Sequence, residues 1–307
     1  MELLNRKHFD TPPVLFASWS GAGNVGILTM DYLRRKLGAR IFAKIDMARY
    51  ITPDSIEVDG GVAHFPQTPQ SVFYHHHNPD LVIFESNAHV GGKNDAEILK
   101  SILQLARELG TTRIYTAAAI PVSMSHTQDS NVHFATNNMT LIPEFTSLGF
   151  NPMKEGVISG LNGLMLGFAA SRRIDAVCLL ATIPAYAGTL TYPRGALSVV
   201  KAMQRVIHVD VDTSELEKEC QEAEPMFDEV EGKFKDFFDA TVAQQPEPEL
   251  EQVETDEVPG HVMNKIETLF KAAQKDRSKA KELKDELDKW SLYPLYEDRF
   301  LDLFEND

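Results

Sequence analysis

Two glycine-rich joints constrain this chain more than any other feature, because each lies between an apolar strand-like run and a helix-like run. The first is Ser20-Gly21-Ala22-Gly23-Asn24-Val25-Gly26, and the second runs from Gly156 to Gly163 and contains Gly160-Leu161-Asn162-Gly163. Glycine lets the backbone turn sharply there and lets a helix N-terminus come close to a neighbour or a ligand. Two such joints imply an α/β domain whose loops gather at the ends of its strands.

The runs around the joints alternate in type. Pro13–Ser18, Arg40–Ile45, Asp80–Phe84, Arg113–Ile120 and Ala176–Ile183 are apolar enough for buried strands, and Asn131–Thr136 is a short one. Helical spacing marks Ile27–Leu37, Asp95–Leu109, Leu161–Ala170 and Pro193–Val206, with Gly38 and Gly110 as stops and proline in the last first turn. Pro53, the Gly60-Gly61 turn and alternating apolar residues predict antiparallel strands between Ile51 and Tyr74. The pattern predicts a parallel or mixed sheet with helices on both faces.

Charge divides the chain. Residues 1–210 hold 18 Lys/Arg against 17 Asp/Glu, a net of +1, whereas residues 211–307 hold 12 against 28, a net of -16. A neutral core with an acidic end lacks the basic face that binds nucleic acid. We therefore expect a core domain at 1–212 and an acidic helical extension at 213–307. The extension is predicted helical over Ser214–Val242, interrupted near Pro225, and again from Val262 to Trp290. The proline-rich acidic stretch about 243–259 suits a flexible linker. The chain has no apolar leader and no run near the length of a membrane span, so a cytoplasmic protein is expected. Cys178 and Cys220 form neither a disulfide framework nor a metal pair, and Cys178 has the surroundings of a core residue.

Three motifs invite chemistry. Gly21, Gly23 and Gly26 satisfy G-x-G-x-x-G, and Asp46 follows 20 residues after the last glycine, the spacing of a dinucleotide site. The β-rich stretch that comes next interrupts the helix and third strand such a domain requires. His75, His76 and His77 alternate across a strand and cannot all face one ion, so no metal is expected and the triplet is predicted exposed. Polar residues follow the strand ends: Glu85, Asn87 and His89; Ser123, Ser125 and His126; and Tyr186. In an open α/β sheet they would converge near Ser20 and Asn24, where Glu85 or His126 could act as acid or base. Strand ends are also polar simply because they meet water. No nucleophile elbow, Walker A loop or His-Glu-x-x-His occurs.

Taken in order, Trp19–Gly26 with Asp31-Tyr32-Leu33, then Gly156–Gly163, Leu179–Tyr186 and Tyr192-Pro193-Arg194-Gly195-Ala196 resemble the proteasome assembly chaperone 2 family over about residues 10–212. The acidic tail looks like the extension of actinobacterial members. The resemblance implies a three-layer α/β/α fold with a mixed sheet similar to that of purine nucleoside phosphorylases, extended by C-terminal helices. It implies self-association as a homo-oligomer, such as a trimer, and binding of proteasome subunits without chemistry or cofactor. Archaeal relatives can carry a hydrophobic-tyrosine-any tail that docks into proteasome pockets; Asp302–Asp307 lack that pattern, so docking of this kind is not expected. Two other readings stay open. One is a small-molecule binder or a phosphorylase- or hydrolase-like enzyme, with Ser20, Gly21, Gly23, Asn24, Gly26, Gly160, Asn162 and Gly163 around a ligand. The other is a dinucleotide-dependent oxidoreductase.

Overall fold

The computed structural model describes residues 1–5, 7–67, 69–88, 90–244, 265–266, 268–270, 273, 279–289 and 300, without the side chains of 235–244, 288 and 289. The chain forms two compact units, Met1–Asp236 and Phe237–Asp307. His89, most of the expected linker (from residue 245) and Trp290 lie outside the described residues.

Unit one is built on a nine-stranded sheet. In chain order its strands are β1 (Glu2–Leu3), β2 (Val14–Trp19), β3 (Arg40–Lys44), β6 (Ser71–His76), β7 (Leu81–Ser86), β8 (Arg113–Val122), β9 (Val132–Thr136), β10 (Asn151–Pro152) and β11 (Asp175–Pro184). Their spatial order is β1-β3-β6-β7-β2-β8-β11-β9-β10. The central four, β7, β2, β8 and β11, run parallel, while β6 and β9 flank them antiparallel. Between β3 and β6 in the chain, β4 (Glu57–Asp59) and β5 (Val62–His64) form a separate antiparallel hairpin across Gly60 and Gly61.

The central strands are apolar on both faces because helices cover both. Phe16, Leu81, Ile83, Ala117, Val177, Leu179 and Ile183 face a core filled by α1 (Val25–Leu37) and α5 (Pro193–Ile207), with α3 (Ile142–Ser147) at its edge. Leu15, Ala17, Trp19, Val82, Phe84 and Ile114 alternate to the other face, against α2 (Gly92–Glu108) and α4 (Gly160–Ala170). This is the three-layer arrangement with a mixed sheet that the sequence predicts, followed by C-terminal helices. No helix among the described residues is long and apolar enough to cross a membrane.

Three expectations are corrected. Helix α6 (Ser214–Gln244) continues through Pro225 rather than breaking there. Pro225 and Gln221 are both exposed, so the carbonyl freed by the missing N–H meets water. The histidine triplet is not uniformly exposed: His75 is buried edge-on against Phe42, with both ring nitrogens unpartnered among the described residues. Burial, followed by the nearby charges of Lys7 and His77, lowers its pKa to about 4. Finally, β6 and β7 stand between β3 and β2, so Asp46 is not beside the first glycine joint. Its carboxylate instead accepts the Ala48 N–H at 3.2 Å and pairs with Arg49. Without Asp46 next to the glycine loop, the dinucleotide reading loses its ribose contact.

In the second unit, Ile266, Leu269, Phe270, Ala273 and Phe300 form a small apolar cluster with Ala280, Leu283 and Leu287 of α7 (Ala280–Lys289).

Candidate functional site: the strand-end crevice

The glycine joints are locked into the fold by close approach. A Cβ on Gly26 would collide with the Ala117 carbonyl and the Ser18 hydroxyl, so only glycine lets α1 lie this near β8. Gly23 has φ +65° and is buried under Ile183 and Tyr192. Its N–H donates to the Gly188 carbonyl at 2.9 Å, and its carbonyl accepts the Tyr192 N–H at 2.8 Å. Asn24 donates from Nδ2 to the Thr191 hydroxyl at 3.1 Å. The first joint is thus stitched to the loop that follows β11. Gly21 and the half-buried Ser20 sit at its outer lip.

The second joint is stitched to the first. Asn162 is buried, and its amide completes the end of β2 as a neighbouring strand would. Its Oδ1 accepts the Trp19 N–H at 3.2 Å, and its Nδ2 donates to the Trp19 carbonyl at 3.4 Å. The Asn162 carbonyl accepts the Thr116 hydroxyl at 2.9 Å. Gly163 has no room for a side chain because the Ile158 carbonyl lies over it, while Gly160 begins α4 at φ +76° in open space.

The two candidate proton carriers go to different places. Glu85 stands next to last in β7 and pairs with Arg34 of α1 at 2.9 Å, while Arg34 also pairs with Asp31 and stacks on Tyr74. Burial outweighs the attraction of Arg34 and raises the Glu85 carboxyl to about 7. His126 lies beyond β8, two strands away in the sheet order, and is buried under α6.

Around His126 the crevice is filled from within. Glu231 of α6 accepts hydrogen bonds from the Ser125 hydroxyl (2.7 Å), His126 Nδ1 (2.7 Å) and the Tyr186 hydroxyl (2.6 Å). The Tyr186 oxygen in turn accepts the His126 N–H at 2.9 Å. Burial and then the Glu231 hydrogen bond push the Tyr186 phenol up, so it stays protonated and donates. Phe227, one helical turn before Glu231, stacks on His126 and meets Tyr192 edge-on. His126 Nε2 faces Asp228 at 3.1 Å. A nucleophilic triad needs a serine hydroxyl on a histidine nitrogen. Ser125 and His126 instead both turn onto the same carboxylate oxygen.

A family model described as the PAC2 family matches residues 15–231. The chain belongs to the PAC2 family. An uncharacterized protein of Methanocaldococcus jannaschii is 21% identical over 255 residues, covering 81% of this chain and 96% of its own. Among solved structures, Pyrococcus furiosus PbaB, described as an archaeal proteasome activator, aligns with TM-score 0.64 at 22% identity, over 75% of this chain and 97% of that one. A Mycobacterium tuberculosis proteasome-assembly chaperone homologue aligns with TM-score 0.60 at 18% identity, over 70% and 94%. At these identities the likeness establishes the shared fold.

In this PAC2 family chain, sequence reasoning gathers Ser125, His126 and Tyr186 at one place but misses Glu231. A signal was present: Glu231 stands at i+4 from Phe227 and i−3 from Phe234, inside the apolar stripe of an acidic helix. A lone carboxylate on a buried stripe requires donors on the surface it covers.

Proposed function

We propose that this PAC2 family protein is a non-enzymatic, chaperone-like binding protein that holds proteasome α-type subunits in the cytoplasm and works as a homo-oligomer. The observation that carries the reading is the occupied crevice. The chain's own helix packs onto the loops after β8 and β11, where Glu231 engages the Ser125, His126 and Tyr186 groups. Binding by outer surfaces is what such a body has left to offer. The names of the relatives, a proteasome activator and a proteasome-assembly chaperone homologue, supply the class of partner.

The β4–β5 hairpin supports self-association. Ile56, Val58, Val62 and Phe65 are 58–71% exposed on and beside this small two-stranded sheet. Clustered exposed apolar side chains mark contact surfaces. Paired changes Val58→Asp and Phe65→Asp are expected to shift the full-length protein toward monomer in light scattering, with no change in far-ultraviolet circular dichroism. An unchanged mass would remove the hairpin from the interface.

Native mass spectrometry of the protein from its own cells tests the function. A homo-oligomer carrying a proteasome subunit is the expected result. A species carrying a small-molecule adduct and no protein would overturn the reading.

A further inference from the structure

At the opposite pole of the sheet, where the parallel strands begin, α2 and α4 end side by side. Their last residues and the turns after them bring Arg107, Arg172 and Arg173 to one open cavity of about 590 Å³, with Thr111 and Ser171 on its wall. Basic residues belong at helix C-termini, where each helix end presents roughly half a negative charge. Two helix ends offset about one of the three guanidinium charges, leaving about two in surplus. Among the described residues no carboxylate pairs with any of the three. Arg113, at the start of β8, differs: it is paired with Glu144 at 2.6 Å and reaches Asp175 at 3.9 Å. Arg172 makes two long contacts, to the Phe168 carbonyl at 3.4 Å and the Ser171 hydroxyl at 3.3 Å, both through one nitrogen.

Ser171 also lines a second cavity, of about 500 Å³, along the outer side of α4 with Ile158, Leu164, Gly167 and Phe168. Nothing lies within 4 Å of where a Cβ on Gly167 would stand, and Leu164 is 48% exposed. An apolar groove therefore runs along α4 into a cationic dish. Gly167 and Ser171 are one helical turn apart, about 6 Å, which about two residues of extended peptide span.

We propose that this face of α4 binds a peptide segment presenting an apolar side chain followed, about two residues later, by carboxylates. The apolar group lies over Gly167 beside Leu164 and Phe168, and the carboxylates meet the arginine forks, which match them two bonds at a time. A small free anion would use the dish and leave the groove empty; a peptide of this pattern uses both. The inference rests on the reading of the chain as a protein-binding protein and names a partner chemistry for it.

The test is selection of random displayed peptides on the full-length protein, followed by fluorescence anisotropy of the enriched peptide. Enrichment of apolar-then-acidic sequences is expected, with binding that weakens as salt rises. R107Q/R173Q and, separately, Leu164→Glu are expected to weaken it at least tenfold. All three residues are exposed, and unchanged melting curves would show that each variant is folded. No enrichment, enrichment of sequences without this pattern, or unchanged affinity in either variant would overturn the proposal. If R107Q/R173Q still carries a proteasome subunit in native mass spectrometry while wild type binds no such peptide, only this inference fails. If wild type carries no protein partner at all, the broader reading fails.

Discussion

The two poles of the central sheet treat their polar groups in opposite ways. At the strand ends, Glu231 takes three side-chain donors, Asn162 completes the β2 edge, and Gly23 is bonded on both sides. At the strand starts, three arginines face an open cavity, and among the described residues none has a carboxylate partner. The difference teaches where to look for binding. A crevice in an α/β sheet is the usual place for a ligand, yet here its groups hold the fold together. The arginines that lack a carboxylate partner among the described residues lie at the other end.

The comparison breaks most severely if the joints are not structural. Gly26→Val would drive a side chain into the Ala117 carbonyl and the Ser18 hydroxyl. A loss of about 3 kcal/mol, the upper part of the overpacking range, is expected in urea unfolding, and a stability within experimental error of wild type would show that α1 adapts freely. Next in size is Glu231→Ala, which leaves the Ser125, His126 and Tyr186 donors facing an emptied site. The expected cost is about 1–3 kcal/mol, read by the same unfolding. If melting is unchanged, α6 does not close the crevice through this contact.

The most gradual effect is a pH slope. The folded state raises the Glu85 pKa from 4.5 to about 7, chiefly by burial. The folded protein therefore holds this proton more tightly than the unfolded chain. The stability from Glu85 is fully present below pH 4.5 and is lost as pH rises through about 7. Melting followed from pH 4.5 to 8 is expected to show a downward component in wild type that is absent from Glu85→Gln. Identical slopes would mean that Arg34 compensates the charge fully.

Much of this was legible in advance, for a physical reason. The glycine joints, the apolar strands and the helix spacings are local signals, and the order of elements follows from them. Gly26, between a strand and a helix, indicates a close helix approach from sequence alone. What local signals cannot carry is pairing across distance. Glu231 meets Ser125 from 106 positions away, and nothing near either residue specifies the other. Asn162 has the look of a ligand-loop residue, because a buried amide that finishes a strand edge has the same sequence as one that holds a substrate. His75 looked exposed because its cover, Phe42, comes from β3, paired to β6 across a register shift. Strand order was equally invisible: the insertion of β6 and β7 between β3 and β2 removes a dinucleotide site that spacing alone suggested.

Hydrogen–deuterium exchange of the full-length protein, with and without a recombinant proteasome α-type subunit, tests the central claim most directly. The account expects new protection on outer surfaces, with the loops at 123–131 and 184–192 unchanged because Glu231 and Phe227 of α6 already hold His126, Tyr186 and Tyr192 within them. Protection or exposure arising at those loops, or no change anywhere, would contradict it.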